Sequence, residues 1–217
     1  MGRRAYLLER SPYGAERKRA APFRVTMGIA VEPGGTVLVA DENSGNGEFG
    51  RLYRLNLTTR EKGALLAFQT SEAAKTLVLH PSGVAYYAAG DVYAWDGSQT
   101  RRLTIDGLTN AYALTVTPKG ELFVSGYNSG LALQVKPGVS TPLRVISGLS
   151  TMSTWSIASS RDGRFLFAAS GGGDSGRITR VNLTDPTAPH EEVWKGRPGG
   201  LGVFLATVGK LEGAINR

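Results

Sequence analysis

Five short hairpin signals recur along the chain, each with a turn glycine in the same place: Gly35 in VEPGGTVLVA, Gly83 in LHPSGVAYYA, Gly120 in VTPKGELFVS, Gly163 in SSRDGRFLFA and, in a weaker surround, Gly209 in ATVGKLEGA. The spacings are 48, 37, 43 and 46 residues. A repeat of this length marks one supersecondary unit used several times, because such a unit cannot bury its apolar face without a neighbour.

The unit is clearest in residues 27–57, MGIAVEPGGTVLVADENSGNGEFGRLYRLNL. Residues 29–31 are a β-branched apolar run, Pro33-Gly34-Gly35 is turn chemistry, and 37–40 is a second apolar run too short for a buried helix. Two such runs so close together read as a hairpin. Beyond a Gly-rich loop, residues 51–57 alternate, with Tyr53, Leu55 and Leu57 on one face and Leu52, Arg54 and Asn56 on the other. That pattern predicts an outer strand with one face partly wet. It also recurs, as GRLYRLNLT from Gly50, GDVYAWD from Gly90, GLALQVK from Gly130 and GRITRVNLT from Gly176. The first and last copies lie 126 residues apart, three repeats averaging 42, and share Gly, Arg, Arg, Asn, Leu and Thr in register.

A further strand is expected after each of these, at 65–68, 102–105, 143–146 and 192–194. Four antiparallel strands per unit make the blade of an all-β propeller, and no capped segment of helical period competes with that reading. The expected blades are 25–70, 71–107, 108–148 and 149–200. Residues 4–9, RAYLLE, align with RLYRLN, and 202–216, GVFLATVGKLEGAIN, lie without gaps on GIAVEPGGTVLVADE from Gly28. The chain 1–217 is therefore expected to be a single domain in which 1–24 and 201–217 together build a split fifth blade, which would leave the ring no unpaired edge. A fragment one blade short of a six-bladed ring is the alternative.

The Gly content, 29 of 217, is spread along the chain and fits many turns. No apolar run approaches the roughly 18 residues of a spanning helix, so no membrane partner is expected. Cysteine is absent and there are two histidines, His80 and His190, which excludes disulfides, thiolate metal sites and a His-rich metal cluster. Both histidines read as surface polar residues. The N-terminus has no apolar segment typical of a secretory signal, so a soluble chain is expected, either cytoplasmic or starting downstream of a removed leader. Of the net charge of +7, +5 falls within residues 1–24, where seven Lys/Arg stand against Glu9 and Glu16. With no known nucleic-acid motif beside it, this is read as a charge-blunted edge rather than a nucleic-acid footprint.

The phrases VEPGGTVLVADENSGNGEFGRLYRLNL and ASSRDGRFLFAASGGGDSGRITRVNL resemble the repeats of NHL and SMP-30/gluconolactonase/strictosidine-synthase-like propellers. The resemblance implies a β-propeller, usually six-bladed. It also implies, for the enzymes among those families, a divalent cation such as calcium held by Glu, Asn and Asp in the central channel. In the best-matching unit of this chain Trp155 stands in the Asn column and Ser170 in the strand-end Asp column. Asp41 alone keeps that acid, a weak candidate for a metal ligand.

The position before the Gly28 column gives Met27, Lys75, Tyr112, Trp155 and Leu201, a mostly apolar and aromatic set suited to a channel mouth that takes an organic ligand. Packing of the mouth is the competing reading of the same residues. Two functions follow. The preferred one is a non-catalytic propeller that binds a small organic molecule or another protein without a cofactor. The alternative is a hydrolase, lactonase or lyase with a divalent cation near Asp41. The acids Asp91, Asp96 and Asp106 are read as solvated loop residues.

Overall fold

The computed structural model of the chain describes residues 6–10, 16–20, 26–41, 51–59, 61–67, 74–149, 153–171 and 176–196. They contain eighteen strands and no helix. β1 (Tyr6–Arg10) and β2 (Glu16–Ala20) form a two-stranded antiparallel sheet. Sheet one follows, with β3 (Thr26–Val31), β4 (Thr36–Asp41), β5 (Arg51–Asn56) and β6 (Lys62–Ala67) in that spatial order. Sheet two is β7 (Thr76–Leu79), β8 (Ala85–Ala89), β9 (Asp91–Trp95) and β10 (Thr100–Leu103). Sheet three is β11 (Ala111–Val116), β12 (Leu122–Gly126), β13 (Ala132–Val135) and β14 (Arg144–Ile146). Sheet four is β15 (Thr154–Ser159), β16 (Phe165–Ser170), β17 (Arg177–Asn182) and β18 (Glu191–Lys195). All are antiparallel meanders, the expected four-stranded blades.

The repeat holds at the level of single hydrogen bonds. In each first hairpin the turn glycine donates its N–H to the carbonyl three residues back: Gly35 to Glu32, Gly83 to His80, Gly120 to Thr117 and Gly163 to Ser160. These four glycines have φ of 85°, 87°, 82° and 70°, a left-handed backbone that other residues resist. After the third strand, Asn56 Oδ1 accepts the N–H groups of Thr58 and Thr59, and Asn182 Oδ1 those of Thr184 and Asp185. The two Asn-Leu-Thr phrases are thus one turn used twice.

Residues 51–57 give β5, the expected third strand: Leu52 and Leu55 are buried, while Arg54 and Asn56, on the face expected to be partly wet, are half-buried. One expectation needs correcting. The fourth strand of sheet one starts at Lys62, three residues before the expected 65, since Lys62 and Gly63 carry no apolar signal but pair with Leu55 and Arg54 through the backbone.

The first strands lie side by side in chain order, β3 against β7, β7 against β11 and β11 against β15. Between the sheets run continuous apolar seams: Leu38, Leu52 and Leu77 between sheets one and two, Tyr86, Leu114 and Leu122 between two and three, and Phe123, Ile157 and Leu166 between three and four. The sheets approach closely at Gly28, where an added Cβ would stand 2.6 Å from the backbone N of Leu77. Hydrogen bonds cross the seams as well, from Thr76 Oγ1 to Tyr112 O at 2.7 Å and from Ser159 Oγ to Val116 O at 3.1 Å. Among the described residues no helix is long and apolar enough to cross a membrane. Residues 201–217, expected to join β1 and β2, lie outside the described residues.

Candidate functional site

The first strands of sheets one, three and four begin with the same irregularity. The register slips by one residue between Thr26 and Gly28, between Ala111 and Ala113, and between Thr154 and Ser156, leaving Met27, Tyr112 and Trp155 as the extra residues. A bulge of this kind turns a side chain out of the pleat. In sheet two, Lys75 donates its N–H to Ala88 O at 2.7 Å although Ala88 already faces Thr76, so it occupies the equivalent position. These four positions sit at one end of the inner strands. Leu201 lies outside the described residues.

Of this set the structure brings Tyr112 and Trp155 together, and adds Tyr127, which the sequence reading missed. The ring centroids are 5.8 Å apart for Tyr112–Trp155, 5.0 Å for Tyr127–Trp155 and 5.1 Å for Tyr112–Tyr127. Both tyrosines meet the indole edge-to-face, the arrangement favoured by the ring quadrupoles. All three residues are half-buried. Trp155 is also tethered, its Nε1–H donating to the carbonyl of Gly171.

Backbone bonds between sheets fix the floor under the rings. Ala111 N–H donates to Gly90 O, and the equivalent Thr154 N–H donates to Tyr127 O, at 2.6 and 2.8 Å. Tyr127 in turn donates its N–H to the carbonyl of Asn110, which has a φ of 49°, a left-handed conformation that asparagine tolerates. Ser153 Oγ donates to Asn128 Oδ1 at 2.9 Å. Tyr127 could have been found as the residue after the strand-end column. It lacks any periodic signal of its own, because it lies in a loop.

The strand-end column reads Asp41, Ala89, Gly126 and Ser170. Asp41 is buried between Thr26 and Arg51 in the register. A hard divalent cation needs about six oxygens, whereas Ala89 and Gly126 offer no side-chain oxygen and no three Asp, Glu or His gather among the described residues. Among the described residues the donor set does not fit the oxygen-ligand site implied by the resemblance. Ser170 and its cross-strand partner Thr154 are both buried, and neither hydroxyl has a hydrogen-bond partner among the described residues.

Asp91, Asp96, Asp106 and His80 have structural partners. Asp91 is the first residue of β9 rather than a loop residue, and pairs with Arg102 at 2.8 Å. Asp96 accepts from the N–H groups of Gln99 and Ser98 and from Ser98 Oγ, bonds that hold its carboxyl down at about 2. Asp106 accepts from Thr141 Oγ1. His80 is more than a surface residue. Its Nδ1 accepts the Ser82 N–H at 3.0 Å, so Nε2 carries the proton and donates to Gly120 O of sheet three at 2.8 Å. It stands at the opposite end of β7 from Lys75. His190 is exposed beside β18.

No family model and no curated protein matches the chain. Solved structures do resemble it. A selenomethionine-substituted virginiamycin B lyase from Staphylococcus aureus is similar over 77% of this chain and 55% of its own, with a TM-score of 0.60 at 13% identity. A catalytically inactive virginiamycin B lyase from the same organism, solved with quinupristin, is similar over 92% of this chain and 67% of its own, with a TM-score of 0.67 at 13% identity. A chain of a mitotic checkpoint complex gives 77% and 48%, with a TM-score of 0.58 at 14% identity. This chain thus spans about half to two thirds of the length of these structures. At such identity the likeness concerns fold alone: four-stranded antiparallel blades in sequential contact have the architecture of a β-propeller.

Proposed function

We propose that this chain is a non-catalytic binding propeller, akin to the NHL and SMP-30-like propellers its repeats resemble, whose mouth takes a small organic molecule on Tyr112, Tyr127 and Trp155. The observation that carries this reading is the gathering of three half-buried rings, two of them delivered by bulges, at one end of the inner strands. Edges and faces of tethered rings lose little freedom when they contact a flat apolar ligand. Support also comes from the similar structure solved with quinupristin, in which a propeller accompanies an organic compound. The lyase, lactonase and hydrolase reading through a divalent cation is the weaker one, because the strand-end column keeps a single carboxylate.

Calorimetric titration with naphthol, indole and aryl-carboxylate probes tests the reading. At least one probe is expected to bind, with affinity falling tenfold or more in Trp155→Ala and unchanged in Trp194→Ala, whose indole lies 44% exposed on an outer strand. Probes that bind Trp155→Ala as well as the parent would overturn it. Calcium binding abolished by Asp41→Asn would restore the metal-dependent alternative.

A further inference from the structure

The mouth column changes character within one step of the repeat. Tyr112 and Trp155, on successive first strands, bring their ring centroids to 5.8 Å of each other across the seam between sheets three and four. The unit is the same from sheet to sheet, so Lys75 before β7 stands to Tyr112 as Tyr112 stands to Trp155. Two bonds hold that step closed: Thr76 Oγ1 donates to the carbonyl of Tyr112 at 2.7 Å, and Ala111 N–H donates to the carbonyl of Gly90 at 2.6 Å. Lys75 is anchored by its own N–H on Ala88 O and is half-buried. The column thus passes directly from a cation to the aromatic cluster.

An ammonium brings three donors and no acceptor. A neutral ligand laid over the rings would withdraw part of that charge from water and offer nothing in exchange, which is costly. A ligand that carries a carboxylate beside its ring meets the ammonium with a charge-assisted bond, about twice as strong as a neutral one, in surroundings less polar than bulk water. The carboxylates at this end of sheets one and two do not reverse the sign. Asp41 stands opposite Arg51 in the register and Asp91 pairs with Arg102 at 2.8 Å, so Lys75 adds its charge to one arginine for each of these acids.

We infer that the mouth selects planar aromatic acids, ionised at neutral pH, with the ring system on Tyr112, Tyr127 and Trp155 and the carboxylate on Lys75. The inference rests on the ring-cluster reading of the mouth and adds the charge of the ligand to it. Lys75 is then the residue that sets specificity, and the rings supply contact that a charged and an uncharged ligand share.

Naphthoate and naphthol test this, since they carry the same ring system and differ in charge. Methionine fills the equivalent position in sheet one, at Met27, so Lys75→Met removes the charge with a side chain that the column accommodates and leaves the backbone bond to Ala88 in place. Lys136→Met is the control: it removes the same charge from an exposed turn after β13. In calorimetric titration naphthoate is expected to bind the parent about tenfold more tightly than naphthol, the worth of one hydrogen bond to a charged group. Lys75→Met should bring naphthoate down to the level of naphthol and leave naphthol unchanged, while Lys136→Met changes neither. Raised salt should weaken naphthoate alone. Equal binding of the two probes by the parent, or an equal loss of naphthoate in Lys75→Met and Lys136→Met, would overturn the choice of an acid and leave the ring cluster standing as a site. If neither probe binds, or both bind Trp155→Ala as well as the parent, the ring-cluster reading falls and the choice of an acid falls with it.

Discussion

Sheets one and two and sheets three and four use the same backbone to present different chemistry. Met27 and Lys75 in the first pair occupy the position of Tyr112 and Trp155 in the second. The strand-end column changes as well, from Asp41 and Ala89 to Gly126 and Ser170, and the link to the third strand is Gly90 alone in sheet two but residues 127–131, with Tyr127, in sheet three. The bulge therefore belongs to the scaffold and the aromatic cluster to the loops and side chains mounted on it. This separation explains how a repeat can stay legible while its site changes.

The comparison breaks most sharply at the strand-end column. Sheet two accepts a methyl there, at Ala89, but in sheet three a Cβ on Gly126 would stand 2.2 Å from the carbonyl oxygen of Thr109. Gly126→Ala is expected to lose about 2–3 kcal/mol in urea denaturation, the cost of forcing an overpacked backbone contact. Stability equal to the parent would mean that the Thr109–Asn110 turn gives way freely.

A smaller effect separates the turn column at the other end of the sheets, where Glu32, His80, Thr117 and Ser160 are equivalent. Of these, His80 holds the next sheet by a side-chain hydrogen bond to Gly120 O. His80→Ala should cost about 1 kcal/mol, the net worth of one such bond, with His80→Gln recovering part of it. No loss in either variant would show that the bond is replaced by water.

Glu32 is tied instead within its own sheet, accepting from Arg54 Nε and Nη2 and from Thr36 Oγ1, each at 2.7 Å. The Arg54 hydrogen bonds, against a smaller desolvation effect, hold its carboxyl below the ordinary 4.5. A folded-state pKa lowered in this way stabilises the protein fully above the unfolded value and loses its contribution as pH falls through the folded value. The Arg54 side chain is 42% exposed, so screening keeps the contribution under about 1 kcal/mol. The gap in thermal midpoint between the parent and Glu32→Gln should narrow as pH is lowered from 7 to 3, and a constant gap would remove the ion pair as its source.

The smallest effect returns to the strand-end column. Ser170→Ala removes a buried hydroxyl that has no partner among the described residues, and should leave stability within about 0.5 kcal/mol or raise it slightly. Opposite outcomes for the same substitution class at Gly126 and Ser170 would show that this column is set by local surroundings. A clear loss at Ser170 would point to a partner for its hydroxyl.

The repeat made most of the fold readable because a turn glycine at φ near 85° and a pair of short apolar runs are local facts, decided within ten residues. The column of Met27, Lys75, Tyr112 and Trp155 was readable for the same reason. Tyr127 was not, since its place is fixed by backbone bonds to Asn110 and Thr154 in other parts of the chain. His80 escaped likewise: its partner Gly120 lies forty residues on, and nothing beside His80 announces it.

Every seam among the described residues joins sheets that follow one another in the chain. The free energy of such an arc is close to a sum of one contribution per sheet and one per seam between neighbours. Gene duplication that inserts a whole unit then adds one sheet and one seam and leaves the older seams as they were. The size of the ring is a number that descent can change a step at a time, while the side chains presented at the mouth follow a separate history.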